Sequence, residues 1–208
     1  MAATSRTRSV SAPGTPPRPG LRERKKLRTR IAIRRATYRL IAEQGYDATT
    51  IEQIAEAAEV SASTVFRYFA AKEDIVLTDE YDPLMEAELR SRPADEPPLE
   101  SLRFILAKAL TASVGSEEMR ERTRLMVEVP AVRARMTETM SDTAKTLARV
   151  LADRSGRSPD DLEVRLFVAT VLGALREVTL YWGEHGQEGD LAALIDQALD
   201  TLEDGLTL

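Results

Sequence analysis

Residues Val60–Phe69 of the chain have the sequence VSASTVFRYF. The segment begins with small and hydroxyl residues and ends with three of the chain's ten aromatic residues within four positions. If it is a helix, Val65 and Phe69 share one face, because residues four positions apart are neighbours on a helix. Burial of that face leaves a polar face of hydroxyl, guanidinium and phenol groups: Ser63, Thr64, Arg67 and Tyr68.

A second short helix is predicted directly before this segment. Thr50-Ile-Glu-Gln53 has the hydroxyl and the glutamine three residues later that form a capping box. Ser61 then supplies a hydroxyl N-cap for the next helix. Two short helices joined by a turn of three to four residues pack at a steep angle and form a helix-turn-helix. The pattern alone is also consistent with a helical hairpin in an ordinary bundle, with a solvated polar face.

The rest of the chain also has helical periodicity, so the predicted fold class is all-α with about nine helices. We expect a disordered basic arm over 1–21, a helix-turn-helix domain over 22–78 and a second helical domain over 79–208, to which the family resemblance described below assigns ligand binding and dimerisation. A helix from Lys72 is predicted to run to about Arg90, and another from Pro159 to about Trp182. Gly45 lies where a glycine would end the first helix.

Charge is distributed unevenly along the 208 residues, whose net charge is −5. Residues 1–40 contain twelve Lys or Arg and one Glu, whereas residues 79–208 have a net charge of −11. A basic amino-terminal end on an acidic body favours a polyanionic partner at that end. Charge alone is equally consistent with a solubilising tail.

Composition excludes several classes of site. There is no cysteine, and the only histidine is His185, so thiolate chemistry is absent and a histidine-centred metal site or triad is disfavoured. No apolar run has the length of a membrane span, and residues 1–20 have no signal-peptide core. We therefore expect a cytoplasmic protein with no membrane partner, no metal, no cofactor and no catalytic residues.

The segment TTIEQIAEAAEVSASTVFRYFAAKEDI resembles the amino-terminal signature of the TetR family of transcriptional repressors. The resemblance covers roughly residues 30–77. It implies that the third helix enters the DNA major groove, with Arg67 bonding a guanine and Tyr68 and Lys72 contacting phosphates. The DNA-binding residues predicted in this way are Thr50, Ser61, Ser63, Thr64, Arg67, Tyr68 and Lys72, with Arg28 and Arg30 at the basic end.

Two positions depart from the family pattern. Glu59 stands where the family usually has glycine, and a left-handed backbone there would cost a non-glycine residue on the order of 1 kcal/mol. The alternative is that the second helix ends differently. Phe66 stands where tyrosine is common, so one phenolic donor to phosphate is lost.

The family resemblance also implies a homodimer and a small-molecule effector. The predicted dimer interface combines two apolar stripes of the last two helices: Phe167, Val171, Leu175, Leu191, Leu194, Ala198, Leu199 and Leu202. An intramolecular core is the alternative. The predicted effector pocket contains bulky or adaptable apolar residues: Phe104, Met119, Met126, Met140 and Trp182.

The carboxy-terminal segment LREVTLYWGEHGQEGDLAALIDQALDTLEDGL resembles TetR-like regulators that sense acyl-CoA-like ligands, such as the mycofactocin-system regulator. The resulting hypothesis is a repressor that an apolar, acyl-CoA-like effector releases from a double-stranded DNA operator. An all-α interaction module with an anion-binding basic arm is the alternative, and an all-helical enzyme is a third hypothesis.

Overall fold

The computed structural model describes residues 21–78, 82–113 and 117–206, and these residues form ten α-helices without a strand. The amino-terminal domain contains α1 (Leu21–Gln44), α2 (Ile51–Ala57), α3 (Ala62–Tyr68) and α4 (Lys72–Leu77). The second domain contains α5 (Asp82–Ser91), α6 (Pro98–Ser113), α7 (Glu117–Glu128), α8 (Pro130–Ser155), α9 (Leu162–Glu184) and α10 (Leu191–Glu203). The predicted arm lies outside the described residues, except that Leu21 already begins α1.

Three apolar clusters organise the two domains. The first belongs to the amino-terminal domain and consists of Ile33, Ile54, Ala55, Val65, Phe69 and Ile75. The second joins Ile41 of α1 and Val76 of α4 to side chains of α7, α8 and α9, so it forms the contact between domains. The third is the core of the second domain, formed mainly by α6, α8, α9 and α10.

Two predicted helix boundaries were wrong. The helix from Lys72 ends at Leu77, and a separate helix begins at Asp82, because Pro83 has no N–H to donate and is tolerated only in a first turn. The helix predicted from Pro159 begins instead at Leu162, with Asp161 as its N-cap residue. The Ser158 N–H donates to Asp161 Oδ2 (3.1 Å), so these two residues close a turn before the helix.

α2 ends on a residue in the left-handed conformation. Glu59 has φ +56°, the Glu59 N–H donates to the Glu56 carbonyl (3.0 Å), and the Val60 N–H donates to the Ala55 carbonyl (2.9 Å). These two bonds define a Schellman motif, in which glycine is the preferred residue at the left-handed position. α2 therefore ends as the family pattern requires, with a glutamate at the strained position.

An ion pair reinforces the contact between the domains. Asp74 of α4 is 8% exposed. Arg135 of α8 donates to both carboxylate oxygens, from Nε to Oδ1 (2.7 Å) and from Nη2 to Oδ2 (3.1 Å). The Ala71 N–H also donates to Oδ2 (3.0 Å). The same carboxylate thus holds the start of α4 and binds α8, while Arg34 of α1 pairs with Glu118 of α7.

Glu59→Gly should raise the free energy of unfolding by on the order of 1 kcal/mol, because glycine removes the left-handed strain. Urea denaturation measures the effect. The matched control is Glu56→Gly, three residues earlier and inside α2, which should lower stability by about 1 kcal/mol. A Glu59→Gly variant no more stable than the wild type would contradict this assignment.

Asp74→Asn should lower the free energy of unfolding by about 1–3 kcal/mol, because the amide weakens a charge-assisted bidentate contact while it can still accept from Ala71. Glu138→Gln is the control, since it removes the charge of the second, exposed partner of Arg135 (2.8 Å) and should change stability little. Equal effects of the two substitutions in urea denaturation would show that the Asp74 pair does not hold the domains together.

Candidate nucleic-acid interface

Helix α3 has the buried apolar face and the polar face that the sequence predicts. Val65 and Phe69 are buried against α1, α2 and α4. On the other side, Ser63 and Arg67 are exposed, and Thr64 and Tyr68 are half-buried. The fixed inner face therefore orients the hydroxyl, guanidinium and phenol groups away from the core.

Hydrogen bonds link the polar side chains at the start of α3. The Thr64 N–H donates to Ser61 Oγ (3.1 Å), which confirms Ser61 as the N-cap. Ser61 Oγ also lies 2.9 Å from Ser63 Oγ and 2.9 Å from Thr64 Oγ1. The Arg67 guanidinium makes a long contact of 3.5 Å with Thr64 Oγ1 and lies 5.3 Å from the centre of the Tyr68 ring. Donors for phosphate oxygens and base edges thus form one continuous patch.

The start of α2 is a complete capping box. The Gln53 N–H donates to Thr50 Oγ1 (3.2 Å), and Gln53 Oε1 accepts from the Thr50 N–H (2.9 Å). Gln44 donates to Gln53 Oε1 (2.8 Å), so the end of α1 supports this cap. Thr50 is exposed and is available to a ligand on the surface of the domain.

Lys72 lies at the start of α4, but its side chain donates hydrogen bonds to the turn between α1 and α2. Its ammonium donates to the carbonyls of Tyr46 (2.7 Å) and Thr49 (2.9 Å) and lies 3.9 Å from the centre of the Tyr46 ring. Tyr46 donates to Glu73 Oε1 (2.6 Å). The pKa of the phenol is raised mainly by burial and also by its bond to the Glu73 carboxylate. Two of the three Lys72 donors are therefore used to position α4, which the sequence did not indicate.

Of the two basic residues predicted on α1, Arg30 lies at the end of α3. Arg30 is half-buried, and its guanidinium carbon lies 5.4 Å from the centre of the Phe69 ring. Arg28, two residues earlier on the same helix, is exposed. Phe66 of α3 is 54% exposed. An apolar ring thus stands beside the polar patch of α3.

A cavity of about 510 Å³ lies in the second domain, between α5, α6, α8 and α9. None of the five residues predicted for the effector pocket lines it. Trp182 and Met126 are buried in apolar clusters, and Phe104 is exposed with the Arg92 guanidinium 3.9 Å from its ring centre. Methionine and aromatic content could not locate the cavity, since its wall is mainly leucine, isoleucine and valine.

The predicted dimer stripes separate into two groups. Val171, Leu191 and Leu199 are buried in the chain's own core, so for these three the intramolecular alternative is correct. Val171 and Leu175 also line the cavity. The other five predicted positions are half-buried. Four of them pack against the same core: Phe167, Leu175, Leu194 and Leu202. The fifth is Ala198. The exposed apolar residues of α9 lie on another face, at Leu162, Leu166 and Tyr181.

Two alternative functions, metal binding and membrane insertion, can be compared with the described residues. Within the described residues, no group of three or more His, Asp or Glu side chains converges on a point where a metal ion would bind. None of the helices that the structure describes combines the length and apolar content needed to cross a bilayer.

Family models match both domains of the chain. Residues 33–78 match the model described as bacterial regulatory proteins of the tetR family, and residues 96–207 match the MftR C-terminal domain. The HTH-type transcriptional regulator TcmR of Streptomyces glaucescens is 36% identical over 96% of this chain and 93% of that protein.

Solved structures show the same fold. FadR of Bacillus subtilis, in complex with stearoyl-CoA, is 26% identical, with a TM-score of 0.56 over 83% of this chain and 96% of that one. Thermus thermophilus FadR, in complex with lauroyl-CoA, is 24% identical, with a TM-score of 0.57 over 86% of this chain and 95% of that one. Together with the two-faced helix α3, the family models and the TcmR match show that the chain belongs to the tetR family of bacterial regulatory proteins and is a helix-turn-helix transcriptional regulator.

Proposed function

We propose that this regulator is a repressor, which binds a two-fold symmetric operator as a homodimer, and that a small, largely apolar effector in the 510 Å³ cavity lowers its affinity for DNA. The observation that supports DNA binding most strongly is the polar face of α3 opposite the buried Val65 and Phe69. No catalytic role is assigned to any residue in this proposal.

In this proposal, α3 lies in the major groove with Arg67 as the main base contact. A guanidinium bonds both major-groove acceptors of guanine at once, and each such bidentate pair contributes about 1–3 kcal/mol of discrimination. Ser63 and Thr64 are placed toward neighbouring base edges or phosphates, and Tyr68 toward phosphate. Lys72 has one remaining donor for phosphate, since two are bonded to carbonyls.

The basic residues of α1 and the arm before it supply additional electrostatic attraction. Arg28 and Arg30 are placed near the backbone of the duplex in this proposal. Each phosphate that Lys or Arg neutralises releases counterions, so the logarithm of the binding constant should fall with the logarithm of salt concentration, by about 0.9 per contact.

The dimer is placed on the exposed face of α9, because two features of that face fit a partner helix. Leu162 and Leu166 are large exposed apolar residues. Gly173 lies in the middle of α9, where an added Cβ would meet nothing within 4 Å, and a mid-helix glycine is otherwise destabilising. The half-buried Leu194 and Ala198 of α10 remain predicted contacts.

The cavity and the DNA-binding domain share structural elements, which supports the proposed release mechanism. α8 lines the cavity through Asp142, Thr143 and Thr146 and bonds α4 through Arg135, two turns earlier. α5 also lines the cavity, through Met85, Glu86 and Leu89, and follows α4 in the chain. A ligand that favours one arrangement of α5 and α8 would therefore change the position of α4 and, with it, α3.

Arg67→Ala should weaken binding to the preferred DNA sequence by about 1–3 kcal/mol, or roughly 5- to 150-fold, because the bidentate base contact is lost. Fluorescence anisotropy on DNA selected from a random pool measures this loss. Arg149→Ala, which removes an exposed arginine of α8, is the control and should leave affinity unchanged. A folded Arg67→Ala protein with wild-type affinity would contradict the assigned base contact.

Leu166→Arg should shift the dimer toward monomer, because an apolar side chain that contributes about 1.5–3 kcal/mol on burial is replaced by a charge. We expect the dimer dissociation constant, measured by sedimentation equilibrium, to rise tenfold or more. The control is Leu206→Arg, since Leu206 is 59% exposed and Leu166 is 55% exposed. If both variants remain dimeric, the proposed interface on α9 is wrong.

A further inference from the structure

We infer that the cavity between α5, α6, α8 and α9 takes an apolar molecule whose polar end donates hydrogen bonds, through a hydroxyl or an amino group, and disfavours phosphate or carboxylate ends. This inference rests on the proposal that the cavity is the effector site, and it narrows the chemistry of the ligand.

Most of the cavity wall is aliphatic. Leucine, isoleucine, valine and methionine side chains from all four helices contribute, and Val150 and Val171 are also buried core residues. A cavity of about 510 Å³ is within the usual range for small-molecule sites. An apolar body of moderate size therefore fits this part of the site.

The polar lining consists of four residues: Glu86, Asp142, Thr143 and Thr146. A carboxylate can only accept hydrogen bonds, and a threonine hydroxyl can accept as well as donate. No Lys, Arg or His occurs among the described lining residues. The side chains therefore offer mainly acceptors to a ligand, and a ligand with donors matches them.

In Glu86 and in Asp142, one carboxylate oxygen accepts hydrogen bonds from a neighbouring cation. Arg90 donates to Glu86 Oε1 from Nε (3.3 Å) and Nη2 (3.1 Å), and Lys145 donates to Asp142 Oδ1 (2.9 Å). These two side chains are 41% and 83% exposed, so the carboxylates lie where solvent reaches the mouth of the cavity, and the hydrogen bonds within the described part of the chain leave Glu86 Oε2 and Asp142 Oδ2 open to a ligand. These oxygens are available acceptors beside an apolar cavity, and Lys145 keeps the pKa of Asp142 below its usual value.

The cations that bond these two carboxylates, Arg90 and Lys145, do not line the aliphatic cavity, and further basic residues lie on the other side of α8. A second cavity, of about 610 Å³ between α8 and α9, is lined by Lys145, Arg149 and Arg165 together with Asp160. The aliphatic cavity therefore lacks the cations that a phosphate group requires. An anionic end placed in it would meet Glu86 and Asp142, and like charges brought together are disfavoured.

Four probes with the same alkyl chain test this inference: decylamine, decanol, decanoate and decanoyl-CoA. Each is titrated into the full chain by calorimetry at neutral pH and below its aggregation concentration. We expect decylamine and decanol to bind at least tenfold more tightly than decanoate or decanoyl-CoA. Decanoate or decanoyl-CoA binding as tightly as decylamine, or no binding by decylamine and decanol, would overturn the inference.

A double variant, Glu86→Gln with Asp142→Asn, tests whether these carboxylates cause the preference. In this variant, decylamine and decanoate should bind with affinities that differ by no more than about threefold. Glu88→Gln, which changes an acid of α5 that does not line the cavity, is the matched control and should keep the wild-type ratio. An unchanged ratio in the folded double variant would overturn the inference.

Release of DNA is measured in a separate assay. A failure of the effector role can then be distinguished from a failure of the ligand preference. Decylamine that binds the protein but leaves DNA affinity unchanged contradicts the effector role of the cavity, while the ligand preference stands. Decanoyl-CoA that binds and releases DNA contradicts the ligand preference, while the effector role stands.

Discussion

The packing of Val65 and Phe69 into the cluster with Ile33, Ile54 and Ile75 is the contact on which the rest of the DNA-binding domain depends. α3 has only seven residues, so its own backbone bonds cannot keep it in place. The buried face fixes its rotation about the helix axis, and that rotation determines which side chains reach solvent. The hydroxyl and guanidinium groups of α3 form a surface patch as a direct consequence.

The turns and the second domain hold this cluster in position. The Schellman motif at Glu59 and the capping box at Thr50 set the lengths of α2 and of the turn after it. Lys72 bonds the turn between α1 and α2, and Asp74 binds α8 through Arg135. α8 also lines the cavity, so the proposed effector mechanism would act on α3 through these contacts.

The local features were predictable from the sequence, because each depends on a few neighbouring residues. The caps at Thr50 and Ser61 and the two faces of α3 follow from hydroxyl positions and helical periodicity. The end of the helix before Pro83 was also visible in the sequence but was missed. The contact between Asp74 and Arg135 was not visible, since 61 positions separate the two residues.

Helical periodicity identifies an apolar helix face but not the helix or the second chain against which that face packs. The stripes through Val171 and Leu199 have the same spacing whether they pack within the chain or against a second copy, and the fold places both in the chain's own core. The cavity was missed for a related reason, because its aliphatic wall comes from four helices and has no distinctive residue type. The family resemblance indicated a ligand domain but did not indicate which residues face the ligand.

Methylation interference on the selected operator tests the orientation of α3 most directly. Methylation of guanine N7 blocks the major groove, whereas methylation of adenine N3 blocks the minor groove. The account predicts strong interference at guanine N7 in two clusters, related by two-fold symmetry and about one helical turn apart, as expected for a single dimer. Binding that tolerates N7 methylation throughout the site, with interference only at adenine N3, would contradict the assignment of α3 as the helix that binds the major groove.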